Sequence, residues 1–251
     1  MVKLALILCV SGVSLLAQWP NRPTPGVPRT AVGKADLTAP PPRTADGKPD
    51  LSGIWKIRRT HLLNAAPDLK PGDIQPWAAA LYKQAADGFR SNTDGINCLP
   101  PGPKASITNG GGYPMKIVQT PGLILVLYEY QTLFRQIFTD GRALPKDPQP
   151  SWNAYSTGKW QGDTLVVESN GFRDDLWMDM AGTPLTNTAR VIEKFRRPNY
   201  GTLLIEAEIS DPKAFTKPWT LKLELKAALD TELIEEVCLE GERSLQHLLA
   251  K

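Results

Sequence analysis

Between Trp219 and Lys226 the chain alternates without a break: Trp219, Leu221, Leu223 and Leu225 are apolar, and Thr220, Lys222, Glu224 and Lys226 are polar. Only an extended strand puts every second side chain on one face, so this stretch reads as a half-buried strand. Related patterns precede it at Ile54 to Arg58, Met115 to Thr120, Leu123 to Tyr130, Leu133 to Thr139, Tyr155 to Trp160, Thr164 to Ser169, Ala189 to Arg197 and Leu203 to Ile209, and Leu233 to Leu239 follows. Turn residues separate most of them: Pro121-Gly122, Asp140-Gly141-Arg142, Gly162-Asp163 and Pro198-Asn199-Tyr200-Gly201. About ten strands joined mostly by short turns predict a mainly β fold, an antiparallel barrel or a two-sheet β-sandwich. The barrel is preferred because a closed sheet leaves no edge.

One helix is expected, after the first strand. Pro76 suits a first helical turn, Ala78 to Ala86 is alanine-rich, and Gly88 is a stop. Trp77 and Leu81 stand four apart, which places them on one face, expected to meet the core. Arg90 to Gly112 reads as loop, and Arg243 to Leu249 as a short terminal helix. Before the first strand, Gln18 to Asp50 holds eight prolines and little apolar periodicity. Such a segment favours extended polyproline geometry, as a mobile leader or a strap over the domain.

Met1-Val2-Lys3 followed by the apolar run Leu4 to Leu16 has the form of a cleavable export signal ending near Ala17. The expected organisation is therefore residues 1–17 as signal, 18–50 as proline-rich leader and 51–251 as a single barrel-like domain, in a periplasmic or secreted protein. Loss of the signal removes Cys9 and leaves Cys98 and Cys238, which an oxidising compartment would pair. Charge is nearly balanced, 29 basic against 26 acidic residues, with no basic run of the kind nucleic acid needs. No transmembrane segment is expected in the mature protein.

Several chemistries lack their residues. Zinc would need more than His61 and His247, and neither a Cys-x-x-Cys nor a His-Glu-x-x-His motif occurs. A Ser-His-Asp hydrolase lacks the Gly-x-Ser-x-Gly elbow, and Gly110-Gly111-Gly112 lacks the Gly-Lys-Ser/Thr of a phosphate loop. Carboxylates remain: Glu168, Asp174, Asp175 and Asp179 fall in a short stretch, and Glu168, Asp174 and Asp179 are the catalytic candidates if burial separates their pKa values. Loop carboxylates more often face solvent or cap turns. Arg135 sits between apolar strand residues and points inward, either pairing with Glu129 or Glu193 or gripping an anion. Trp55, Trp77 and Trp219 follow core-facing patterns, whereas Trp152, Trp160 and Trp177 flank the hairpin and acidic loop and could stack on a ligand ring.

Gly53-Ile54-Trp55 resembles the Gly-x-Trp start of lipocalin-like barrels. More of the chain, in order, resembles a family of exported bacterial proteins common in soil bacteria such as Acidobacteria. The resemblance lies in Asp46 to Trp55, Gln75 to Ala80, Asn97 to Gly102, Ile117 to Gly122, Phe138 to Arg142, Gly162 to Val167 and Asp211 to Trp219. It implies export and carries no reaction or cofactor. Members often have Pro-His-Ser where this chain has Pro184-Leu185-Thr186, so histidine chemistry at that loop is not implied here. The leading expectation is an exported barrel binding a small apolar or amphipathic molecule without catalysis, lined by Arg135, Trp152, Trp160 and Trp177. A cofactor-independent hydrolase or isomerase using the loop carboxylates is the first alternative. An envelope interaction protein is the second.

Overall fold

The computed structural model describes residues 23–58, 61–87, 98–109 and 112–238. Strands β1 (Gly53–Ile57), β2 (Met115–Thr120), β3 (Leu123–Tyr128), β4 (Phe134–Phe138), β5 (Tyr155–Gln161) and β6 (Thr164–Asn170) are followed by a two-stranded ribbon, β7 (Leu176–Trp177) and β8 (Pro184–Leu185). The long strands β9 (Arg190–Asn199), β10 (Thr202–Ser210) and β11 (Trp219–Ala227) complete the sheet. Outside the ribbon, nine strands close in the order β1-β11-β10-β9-β6-β5-β4-β3-β2. Because β1 pairs with both β11 and β2, the sheet is a barrel and not a sandwich.

Alternation decides which side chains fill it. On β9, Val191, Glu193, Phe195 and Arg197 point inward while their neighbours are exposed, and on β11 Leu221, Leu223 and Leu225 do the same. Trp55 is fully buried and its Nε1 donates to the Leu51 carbonyl at 2.9 Å. The inward side of β5 is so tight that a Cβ on Gly158 would lie 3.1 Å from both Ile137 and Leu165. A void of about 10 Å³ beside Tyr128, Phe195 and Leu223 holds at most about one water. The interior there is a packed core.

Every neighbouring pair in the barrel is antiparallel except β4 with β5, which is parallel and matched at only two positions, Ile137 with Ser156 and Phe138 with Thr157. A parallel return requires the chain to travel back along the barrel, and residues 139–154, with Pro145, Pro148 and Pro150, do so. This was not legible as a parallel pair in the sequence, because the alternation of β4 and β5 is the same for either direction.

Two further details differ from the sequence reading. Residues 231–237 form no strand: β11 ends, Asp230 enters the left-handed region with φ of 57°, and the chain continues as a cover against Glu129, whose carbonyl accepts from the Glu236 amide at 3.3 Å. The expected terminal helix lies outside the described residues. The helix α1 (Pro76–Asp87) is present, but Trp77 is 46% exposed and caps the Lys213 carbonyl at 2.6 Å. Among its described side chains, the buried ones are Ala78 and Ala85. At its far end the helix lies close to the turn after β7, where a Cβ on Gly182 would lie 3.0 Å from the Ala85 methyl.

The expected cysteine pair is bonded: Cys98 and Cys238 form a disulfide with Cα atoms 5.6 Å apart. It ties the segment before α2 (Pro103–Ser106) to the end of the described chain, and closing so long a loop restrains the unfolded chain by about 4 to 5 kcal/mol in the entropic account. The expected signal segment lies outside the described residues. Residues 23–50 run over one end of the barrel, where Gly201 donates to the Leu37 carbonyl at 2.9 Å and Tyr200 to the Ala39 carbonyl at 2.8 Å.

Candidate functional site

The weakly paired β4–β5 seam opens outward into a cleft of about 360 Å³. Phe134 and Phe138 project into it from β4 on the face opposite Arg135 and Ile137, and Tyr155 begins β5. Leu133 and Trp152, in the segments leading into the two strands, complete an aromatic and aliphatic wall. Phe134 is 57% exposed, a large apolar surface left open beside the half-buried rings of Phe138, Trp152 and Tyr155. Both approaches to the seam carry backbone strain: Gln131 and Thr132 before β4, and Ala154 before β5, have φ of 52°, 50° and 59°. None is glycine, and each costs of order 1 kcal/mol or more, a type of strain that gathers at functional sites.

Two guanidiniums brace the ring walls. Arg142 lies 3.9 Å over the Phe138 ring and donates to the Tyr155 hydroxyl at 3.1 Å, while Arg173 lies 4.4 Å over Trp152. Each is ion-paired, Arg142 with Asp140 at 2.6 Å and Arg173 with Asp175 at 2.7 Å. The hydrogen bonds from those arginines hold the carboxyls of Asp140 and Asp175 below the usual carboxylate range. Asn153 spans the cleft floor, its Nδ2 donating to the Phe134 carbonyl at 2.8 Å. Its Oδ1 is buried and has no hydrogen-bond partner among the described residues, a costly condition for an acceptor.

Behind the seam, inside the barrel, four adjacent strands contribute one polar residue each: Arg135 from β4, Ser156 from β5, Ser169 from β6 and Glu193 from β9. Arg135 donates to Ser156 Oγ at 3.2 Å, to Ser169 Oγ at 2.9 Å and to both oxygens of Glu193. Arg135 and Glu193 are 3% and 1% exposed. Burial pulls the guanidinium pKa down, but the charge and hydrogen bonds of Glu193 outweigh it and hold the pKa above its ordinary value. Burial also pushes the neighbouring Tyr128 hydroxyl up. Arg135 therefore borders the cleft along its strand, while its cationic end is engaged in the internal ion pair with Glu193.

The other singled-out residues fall apart in space. Trp152 lines the cleft, but Trp160 packs partly against the core where β5 pairs with Leu165, and Trp177 sits in the β7–β8 ribbon close to Gly182. Glu168 is exposed on β6. Asp174 is exposed and meets the Asn187 amide at 3.2 Å and Lys213 at 3.4 Å. Asp179 is 2% exposed and accepts from the amides of Ala65 and Thr183 and from the Thr183 hydroxyl, at 2.7, 3.0 and 2.6 Å. It pins two loops together. No two of the three share a partner among the described residues, so the structure does not assemble them as an acid–base pair.

A larger concavity, about 650 Å³, lies on the outer face of β9, β10 and β11. Its walls are Lys194, Arg196, Glu206, Lys222 and Glu224, an open charged trough in which Glu206 already meets Lys194 at 3.8 Å and Lys222 at 3.5 Å. Size alone would favour it, but pockets that hold small organic molecules are mostly apolar with a few placed polar groups, and the seam cleft has that composition. Among the described residues, no His, Cys, Asp and Glu cluster could hold a metal ion, and no helix is long and apolar enough to cross a membrane.

Phe134 and Asn153 were missed in the sequence. In the sequence Phe134 reads only as part of the strand Leu133 to Thr139, and its exposure follows from the parallel seam.

No protein-family model and no curated protein matches the chain. Among solved structures, the crystal structure of a mutant of the fluorescent protein UnaG is similar at 14% identity, with 72% of this chain and 97% of that chain covered and a TM-score of 0.34. The barrel assignment rests on the strand pairing above and takes nothing from that likeness.

Proposed function

We propose that this protein binds a small amphipathic molecule, without catalysis, in the cleft at the β4–β5 seam. The observation that carries the reading is an open cleft walled by Phe134, Phe138, Trp152 and Tyr155 at the one place where the barrel wall is held by only two paired positions. An apolar or aromatic body would cover Phe134 and Trp152. A hydroxyl or N–H on that body would satisfy Asn153 Oδ1, and an acidic end would meet the half-exposed guanidiniums of Arg142 and Arg173 at the rims. The lumen beside Tyr128, Phe195 and Leu223 is packed with their own side chains, which favours the seam over the interior.

Titration with anilinonaphthalene sulfonate, an aromatic anion of the proposed type, followed by tryptophan fluorescence, tests this. Phe134→Ala and Trp152→Ala should each weaken binding about tenfold, the equivalent of ~1.4 kcal/mol from a partly covered ring. Trp160→Phe and Trp177→Phe should leave it unchanged. Equal affinity in all four variants would remove the cleft from consideration.

The disulfide also bears on location. A bonded Cys98–Cys238 pair fits an oxidising compartment, and together with the signal-like residues 1–17 it supports export of a chain made of a proline-rich leader and one barrel domain. N-terminal sequencing of the protein isolated from its own cells should find a start near Gln18; retention of Met1 would contradict export by cleavage.

A further inference from the structure

The leader contains an internal repeat. Pro28-Arg-Thr-Ala-Val-Gly-Lys-Ala-Asp-Leu-Thr38 returns fourteen residues later as Pro42-Arg-Thr-Ala-Asp-Gly-Lys-Pro-Asp-Leu-Ser52, identical at eight of eleven positions. The two copies fold alike. Thr30 donates to Lys34 O at 2.8 Å and Thr44 to Lys48 O at 2.9 Å; Asp36 donates to Pro28 O at 2.7 Å and Asp50 to Pro42 O at 2.8 Å. Gly33 and Gly47 share a φ of 78°, the left-handed value the turn demands. In each copy the arginine Nη1 folds back onto the glycine carbonyl, Arg29 to Gly33 at 2.8 Å and Arg43 to Gly47 at 2.7 Å.

That last bond fixes the guanidinium with its remaining N–H groups turned outward, and the second copy shows what they take. Arg43 grips Asp163, at the tip of the β5–β6 hairpin, with Nη1 and Nη2 on the two carboxylate oxygens at 2.9 and 2.8 Å. The first copy holds Arg29 in the same way, yet among the described residues Arg29 has no carboxylate partner. The copies also differ at the tip of the turn. Where the second has Asp46, bonded to Thr44, the first has Val32, which is 79% exposed.

We infer that the first copy is a docking surface for an acidic β-turn of a partner protein, with Arg29 clamping the turn carboxylate in a fork as Arg43 clamps Asp163, and Val32 covering apolar surface beside it. Such bidentate pairs carry both geometry and strength. The equivalent turn of a second copy is not on offer, because its Asp163 is already held by its own Arg43, so the occupant is the turn of a different protein.

The test uses the purified, isotope-labelled protein and a cyclised hairpin peptide reproducing Gly158 to Val167, the turn that this motif binds within the chain. Saturable shifts should appear at the Gly33 and Lys34 amides, and the affinity should fall at least about fivefold with Arg29→Met, and equally with the peptide aspartate changed to Asn. Arg29→Met should leave the melting temperature unchanged, since no other part of the described chain depends on that side chain. The inference is overturned if the peptide causes no shifts, if the shifts survive Arg29→Met or the Asn peptide, or if Arg29 instead supports self-association in sedimentation.

Discussion

Replacing Glu193 by Ala should destabilise the protein by about 3 to 5 kcal/mol, measured by urea unfolding with the disulfide intact, because it leaves the Arg135 guanidinium buried and unpaired. The neighbouring Ser156 and Ser169 can share its donors but supply no charge. The double substitution Arg135→Met with Glu193→Leu should recover most of that loss, since replacing a buried ion pair by apolar side chains of similar size is often neutral or stabilising. A single-variant loss below about 1 kcal/mol would mean that water reaches the pair and that the interior behind the seam is not closed. The pair spans β4 to β9 on the inside just where the outer wall is weakest, so it reinforces a seam whose strands match at only two positions.

The second large effect is expected at the opposite kind of site. Trp55→Ala should cost about 3 to 5 kcal/mol, because the indole is fully buried and its removal leaves a cavity. The loss should spread to the leader. Arg197 stacks 4.8 Å over Trp55 and 5.0 Å over Tyr200, and it donates to the carbonyls of Asp50, Ser52 and Tyr200, so one guanidinium joins β9, the first strand and the segment that precedes it. Without the ring, that guanidinium has lost one of its two stacking faces. Limited proteolysis should then cut residues 23–50 faster in Trp55→Ala than in the parent at equal fractions folded. If cleavage of the leader is unchanged, it is held by contacts that do not depend on Trp55, such as those of Arg43, Leu37 and Ala39.

Much of the barrel could be read from the chain. Period-two alternation on β9 and β11, the Gly162-Asp163 turn and the Gly-x-Trp start all reflect local physics, which a sequence states directly. The inward Arg135 and its need of a buried acid were legible for the same reason, with Glu129 and Glu193 as the alternatives and Glu193 the partner found. What was not legible depends on who the neighbours are. The parallel β4–β5 pair is set by a long crossover, and Trp77 meets the Lys213 carbonyl at the surface, a partner far along the chain. The leader repeat was written in the sequence, but its proline content masks it.

The candidate site was half visible. Trp152 reads in the sequence as one of three rings flanking the hairpin and acidic loop, and it does line the cleft; Trp160 and Trp177 look equivalent there because linear proximity to a loop does not reveal which side of a hairpin a side chain takes. The carboxylates drew interest by crowding in sequence. Folding sends Glu168 to the outer surface, Asp174 to solvent and Asp179 to a buried loop anchor.

Ligand entry at the seam cleft, and not in the lumen or the charged trough, can be seen outright in a crystal structure of the protein soaked with anilinonaphthalene sulfonate. The ring system should lie between Phe134 and Trp152, with a donor near Asn153 Oδ1 and the sulfonate toward Arg142 or Arg173. Density for the probe among Lys194, Arg196 and Lys222, or inside a barrel whose Arg135–Glu193 pair has opened, would contradict it.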